Sequence, residues 1–131
     1  MKQVTQMMFI VAGIIHLIPL AGVIGPAHLA RLYGVVISDP NLIILMRHRA
    51  VLLALAGALL LAAAFCDRLR GAAYVAGLVS VVSFLALAWG TGGWNALIGR
   101  VVTADIMALL CLLVALAAEH TASHFESGRL G

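Results

Sequence analysis

The amino-acid sequence predicts an all-α fold: an integral membrane four-helix bundle, with a short interfacial helix between the first and second spans. Three observations carry this. The 131 residues are 64% hydrophobic and only 10% charged, where a soluble domain is nearer half apolar and a quarter charged. The apolar residues fall into four runs, each long enough to cross a hydrocarbon core of about 30 Å at about 1.5 Å per helical residue. The breaks between them are short and polar, and a helix in lipid satisfies its own backbone hydrogen bonds.

The first run extends from about Met7 to Ile24. It contains His16 and Pro19 and lacks a small-x-small cleavage site before Pro26, so it reads as a retained span rather than a signal peptide. Pro19 removes a backbone donor and should kink the helix, freeing the carbonyl of Ile15. In the connection PAHLARLYG, Pro26 to Gly34, Leu29, Leu32 and Tyr33 cluster on one helical face, as in a short helix lying at the interface. Asp39 suits an N-cap and Pro40 a first helical position, so the second span opens there and continues to about Phe65. The break CDRLRG separates it from a third span, Ala72 to Trp89. The glycine-rich turn GTGGWNALIGR leads to a fourth, Val101 to Ala118. Residues 1–118 form one transmembrane domain on this reading. Residues 119–131 are polar and read as a disordered tail.

Several chemistries lack their residues. The net charge of +3 is spread along the chain, with no basic run interleaved with aromatics, so no nucleic-acid partner is indicated. Cys66 and Cys111 are isolated, without the spacing of a disulfide framework or zinc site. No GxSxG elbow or phosphate-binding loop is present, and no motif implies a cofactor or metal. Glu119, His120 and His124 fit a solvated tail better than a metal site.

The informative residues are polar groups inside greasy helices. Arg47, His48 and Arg49 sit within the second span, where an unpaired charge costs several kcal/mol. His16 lies about 12 Å from the outer end of the first span, Arg47 to Arg49 about 10–14 Å down the second, Ser83 about 9 Å from Trp89, and Asp105 about 6 Å inside the fourth. All four spans thus bring a polar group to one half of the bundle. At about 100° per residue, Arg47 is in line with Ala54 and Ala58, with Ala50 and Ala62 nearby, and small residues at this spacing admit a neighbouring helix. Arg47 is therefore expected to face inward against Asp105. Arg49 is expected to reach headgroups or a partner, and His48 is left open. Such a cluster either locks the helices together or lines a ligand pocket. Two histidines on different spans, His16 and His48, also admit a b-type haem as a weaker alternative.

The run RLYGVVISDPNLIILMRHRAVLLALAGALL, Arg31 to Leu60, resembles the hallmark of a family of small bacterial four-span proteins. Gly13, His16, Leu17 and Pro19 match its GxxHLxP element. Ala88, Trp89, Gly92, Gly93 and Asn95 echo its AxWxxGGxN region, and Arg100 to Asp105 its RVVxAD. The resemblance implies a DoxX-like layout of four helices and places His16, Asp39, Arg47, His48, Arg49, Asn95, Arg100 and Asp105 on motif positions. Members commonly carry the label phosphopantetheine adenylyltransferase. The soluble enzyme of that name is an α/β nucleotide-binding protein with an HxGH motif. This chain has neither that motif nor room for that fold, and its residues do not support that activity.

The expected function is non-catalytic: an inner-membrane protein that binds a lipid-like or quinone-like molecule, or packs against a membrane partner or a second copy. The alternative is a small enzyme or carrier in which Arg47 holds an anionic group and Asp105 or His16 moves a proton. The expected site residues are His16, Arg47, His48, Arg49, Ser83, Asn95, Arg100 and Asp105. Lys2, Arg68, Arg70 and Arg129 on one side outnumber Arg31 and Arg100 on the other. The positive-inside rule then puts both termini in the cytoplasm of a bacterial cell, with the bilayer as the constant partner.

Overall fold

The computed structural model describes residues 2–127, and the side chains of residues 2–122. Within them the chain is 89% helical with no strand, in the order α1 (Lys2–Leu17), a 3-10 helix (Ile18–Val23), α2 (Pro26–Tyr33), α3 (Pro40–Phe65), a 3-10 turn (Asp67–Leu69), α4 (Arg70–Thr91) and α5 (Ala96–Ser127). Four of these stretches are long and apolar enough to cross a membrane: Lys2–Val23, Pro40–Phe65, Asp67–Thr91 and Ala96–Ala122. The all-α four-helix bundle is as predicted, and it supports a multi-pass membrane protein.

Local chemistry sets the element boundaries. Pro19 changes the helix type rather than merely bending it, since α1 stops at Leu17 and the chain tightens into the 3-10 helix. Asp39 caps α3 as expected, its Oδ1 accepting from the amides of Asn41 (2.7 Å) and Leu42 (3.4 Å), with Pro40 in the first turn. The fourth helix starts earlier than Val101, because Asn95 is its N-cap: Oδ1 accepts from the amides of Leu97 (3.0 Å) and Ile98 (2.9 Å). Only Gly92 to Trp94 then remain as the loop after α4. Helix α5 also continues through Ser127, past the expected end at Ala118. Of the expected tail, 128–131 lie outside the described residues.

The tightest packing is between α1 and α3, and it rests on glycine. A Cβ on Gly57 would meet the carbonyl oxygen of Gly13 at 2.9 Å, and a Cβ on Gly13 would meet Leu61 Cγ at 2.8 Å. This corrects the expected orientation of α3. Its inner face runs through Ala50, Gly57, Leu60 and Ala64, all buried, whereas Ala58 and Ala62 are exposed. Absence of a side chain admits a closer backbone approach than alanine does, so the glycine pair decides which face turns inward.

The core has three parts. Phe9, Ala12, Leu60, Tyr74 and Leu112 pack in the half nearer the N-terminus. Val81, Leu85, Val102 and Ala108 join α4 to α5. At the far end α2 lies across the bundle, with Leu29, Tyr33 and Ile37 buried against Ile43, Met46, Ile98 and Val101. Large apolar side chains such as Leu45, Leu55, Val79 and Leu110 remain more than half exposed on the outside, as a lipid-facing surface requires.

Candidate functional site

The spacing of polar residues predicts one from each span at a common depth, and the structure brings His16, Arg49, Ser83 and Asp105 to the wall of one cavity of about 380 Å³. The arginine in it is Arg49. Arg47 is exposed, and its Nε donates to the carbonyl of Val23 at 2.8 Å. That carbonyl ends the 3-10 helix, and Pro26, three residues on, has no N–H to donate to it. The expected pairing of Arg47 with Asp105 is therefore overturned, as is an outward role for Arg49. Rotation of α3 onto its glycine face carries both residues round together.

Arg49 is held in place by three groups. Its Nη1 donates to the Tyr33 hydroxyl at 3.1 Å. The guanidinium carbon lies 5.4 Å from the centre of the Tyr33 ring and 5.7 Å from that of Phe84, within the range of cation–π attraction. Tyr33 is itself fixed by Asn95, whose Nδ2 donates to the Tyr33 carbonyl at 2.9 Å. Gly34, between them in space, has φ +67, and a Cβ there would come within 3.0 Å of Asn95 Nδ2. Glycine thus serves both the left-handed cap of α2 and the contact with Asn95. In the sequence Tyr33 reads only as part of the apolar face of a short interfacial helix, and nothing sets Phe84 apart from the apolar run around it.

Asp105 lines the same cavity as Arg49. No Arg49–Asp105 ion pair forms among the described residues; those recorded there are Lys2–Asp67 (3.8 Å), Arg70–Asp67 (2.9 Å) and Arg70–Glu119 (2.9 Å), all at the opposite end of the bundle. His16 is buried, with 3% of its surface exposed. Its Nδ1 lies 2.9 Å from the Ala12 carbonyl, which can only accept, so Nδ1 carries the proton. In the neutral ring Nε2 is then an acceptor. Ser83 is on the rim and donates to the Ser80 carbonyl at 3.1 Å.

Apart from Ser80 the rest of the wall is apolar, and its mouth opens between α3 and α4, where Leu52, Val79, Ser83 and Leu87 are exposed. A second cavity of about 270 Å³ lies between the 3-10 helix, α2 and α5, and shares Ile15, Pro19, Val101 and Asp105 with the first. A third, about 660 Å³, continues the α3–α4 seam towards Trp94 and shares Arg49, Phe84 and Leu87 with the first. Arg49 thus borders both the first and the third cavity along the α3–α4 seam.

The remaining expected residues have other places. His48 is exposed on α3 and lines none of the three cavities, so His16 and His48 are not brought together as axial haem ligands would be. Asn95 is a positioning residue, and Arg100 borders the second cavity. Glu119, read as part of a solvated tail, is on α5 and accepts from Arg70 Nη1 at 2.9 Å. The His124 side chain lies outside those described.

Chemically, the first cavity combines a multiple hydrogen-bond donor, Arg49, with two acceptors, Asp105 and His16, in a largely apolar lining. That suits a lipophilic molecule whose compact polar head both accepts and donates hydrogen bonds. Comparison with protein-family models, with curated proteins and with solved structures finds no match to this chain.

Proposed function

We propose that this protein binds a lipid-like molecule with an oxygen-bearing head, of the quinone class, with the head at Arg49 and the tail along the α3–α4 seam. One observation carries the reading. Arg49 and Asp105 border the same cavity at membrane depth without closing on each other as an ion pair. A buried pair serving only to lock two helices gains most by direct contact; here the two side chains line a cavity instead. A carbonyl oxygen of the guest accepts from Arg49, and a hydroxyl donates to Asp105 or to His16 Nε2. The proposed setting follows the sequence reading: a bacterial inner membrane, of the small four-span type the motifs resemble, with both termini cytoplasmic. The ion pairs linking Lys2, Asp67, Arg70 and Glu119 support placing the terminal segments and the second connection at one end.

The test is a thermal melt of the purified protein in mild detergent, with and without a short-tailed benzoquinone. The unaltered chain is expected to melt higher with the quinone present. Arg49→Gln and Asp105→Asn should each bind roughly tenfold to a hundredfold more weakly, the loss expected for a hydrogen bond to a charged group. Arg47→Gln, two residues away but outside the cavity, should keep the shift. Equal shifts in all four proteins would refute the reading.

A second reading draws on Asp105 lining both the first and the second cavity. There Asp105 passes a proton to or from the bound molecule, and binding is coupled to proton uptake or release. Calorimetry of quinone binding in two buffers of different ionisation enthalpy separates the two. A buffer-dependent heat that vanishes in Asp105→Asn supports proton exchange, and identical heats remove it.

A further inference from the structure

The second cavity has an electrostatic character of its own. Arg31 from α2 and Arg100 from α5 both line it, and both are exposed at the end of the bundle that α2 covers. Neither has an ion pair, hydrogen bond or ring contact among the described residues. The rest of the lining is largely apolar, with Ile18, Leu32 and Leu97 in the wall and Val101 and Ala104 following Arg100 inward along α5. The one acid in the lining, Asp105, is five positions beyond Arg100 on α5, about 7.5 Å deeper. The slot thus has two free guanidinium groups at its mouth and a greasy interior.

Its position matters as much as its lining. Helix α2 buries Leu29 and Tyr33 and leaves Arg31 exposed, the arrangement of a helix lying at the level of lipid headgroups. A guanidinium at that level meets phosphate oxygens in the geometry it binds best, two parallel N–H donors to two oxygens. We propose that Arg31 and Arg100 clasp the phosphate of an anionic phospholipid from the surrounding leaflet, with part of one acyl chain filling the slot. A lipid is favoured over free phosphate because the apolar wall continues inward from the two arginines. The site does not involve Arg49 and stands whether or not a quinone binds in the first cavity.

The experiment uses the full chain, purified in neutral detergent and titrated with phosphatidylglycerol or with phosphatidylcholine of the same acyl chains. Native mass spectrometry follows retained lipid, and a thermal melt follows stabilisation. Phosphatidylglycerol is expected to be retained and to raise the melting temperature, with phosphatidylcholine much weaker. Each of Arg31→Gln and Arg100→Gln should weaken phosphatidylglycerol binding roughly fivefold, and the double variant roughly 25-fold, from the usual contribution of one basic residue at an anionic surface. Because neither side chain has a partner among the described residues, the variants should melt like the unaltered protein without added lipid. Equal retention of the two lipids, or unchanged affinity in the double variant, overturns the proposal. Inorganic phosphate giving the same shift as the lipid also overturns it, since a free anion would then suffice.

Discussion

Arg47 and Arg49 carry the same charge two positions apart on one helix, and their surroundings give them opposite tasks. Arg47 terminates a neighbouring 3-10 helix by donating to the Val23 carbonyl, while Arg49 is held between two aromatic rings at a cavity wall. Which arginine faces inward depends on where α3 meets α1, and that is settled at Gly57. Its missing side chain leaves room for the Gly13 carbonyl, which a Cβ would approach to 2.9 Å. Backbone cannot swing aside as a flexible side chain does. Gly57→Ala is therefore expected to destabilise the bundle by about 1–3 kcal/mol, the usual cost of overpacking. Gly90→Ala, where a Cβ meets nothing within 4 Å, should be neutral or stabilising by up to about 1 kcal/mol through helix propensity. Melts of the two variants in the same detergent check the contrast. The residue types at the cavity were legible in the sequence, as polar groups at one helical depth: His16, Ser83 and Asp105 all reach it. The choice between Arg47 and Arg49 was not, because an alanine row and a glycine contact compete for the interface, and closeness of approach favours glycine only once the partner glycine on α1 is known.

Elements are joined at the two ends of the bundle by different chemistry. At the α2 end, Asn95 caps α5 and ties it to the Tyr33 carbonyl. At the opposite end Arg70, with only 14% of its side chain exposed, bridges Asp67 and Glu119, joining the start of α4 to α5. Because Asp67 is more exposed than Glu119 (62% against 29%), solvent screens its pair more and the Glu119 contact should dominate. Glu119→Gln is expected to cost about 1–3 kcal/mol, the range for a hydrogen bond to a charged group, and Asp67→Asn less than about 1 kcal/mol, as for an exposed pair. Chemical denaturation of the two variants distinguishes them. The caps at Asp39 and Pro40 were readable because they occur in a fixed order just before an apolar run. The Asn95 cap was hidden by three neighbouring glycines, which read as an extended turn. Glu119 was hidden too, since an acid beyond an apolar run looks like a solvated tail until a second helix brings Arg70 beside it.

For the whole molecule, the number, class and order of helices followed from hydropathy and length, because in lipid these two quantities leave the backbone almost no alternative to helix. The proposed direction of insertion has a direct check. Cys66 is exposed between α3 and α4 at the end that holds Lys2, whereas Cys111 is half-buried within α5. A membrane-impermeant maleimide should label Cys66 in inside-out vesicles and leave it unlabelled in intact spheroplasts; the reverse pattern would invert the topology. The cavity bordered by Arg49 and Asp105 opens between α3 and α4, past Leu52 and Val79, and that direction sets how occupancy must be counted. A guest entering there comes sideways out of the bilayer and is never free in water at the moment of binding. Its relevant concentration is a mole fraction among lipids. A dissociation constant quoted per litre of buffer would change with the amount of membrane in the tube while the protein's preference stayed the same.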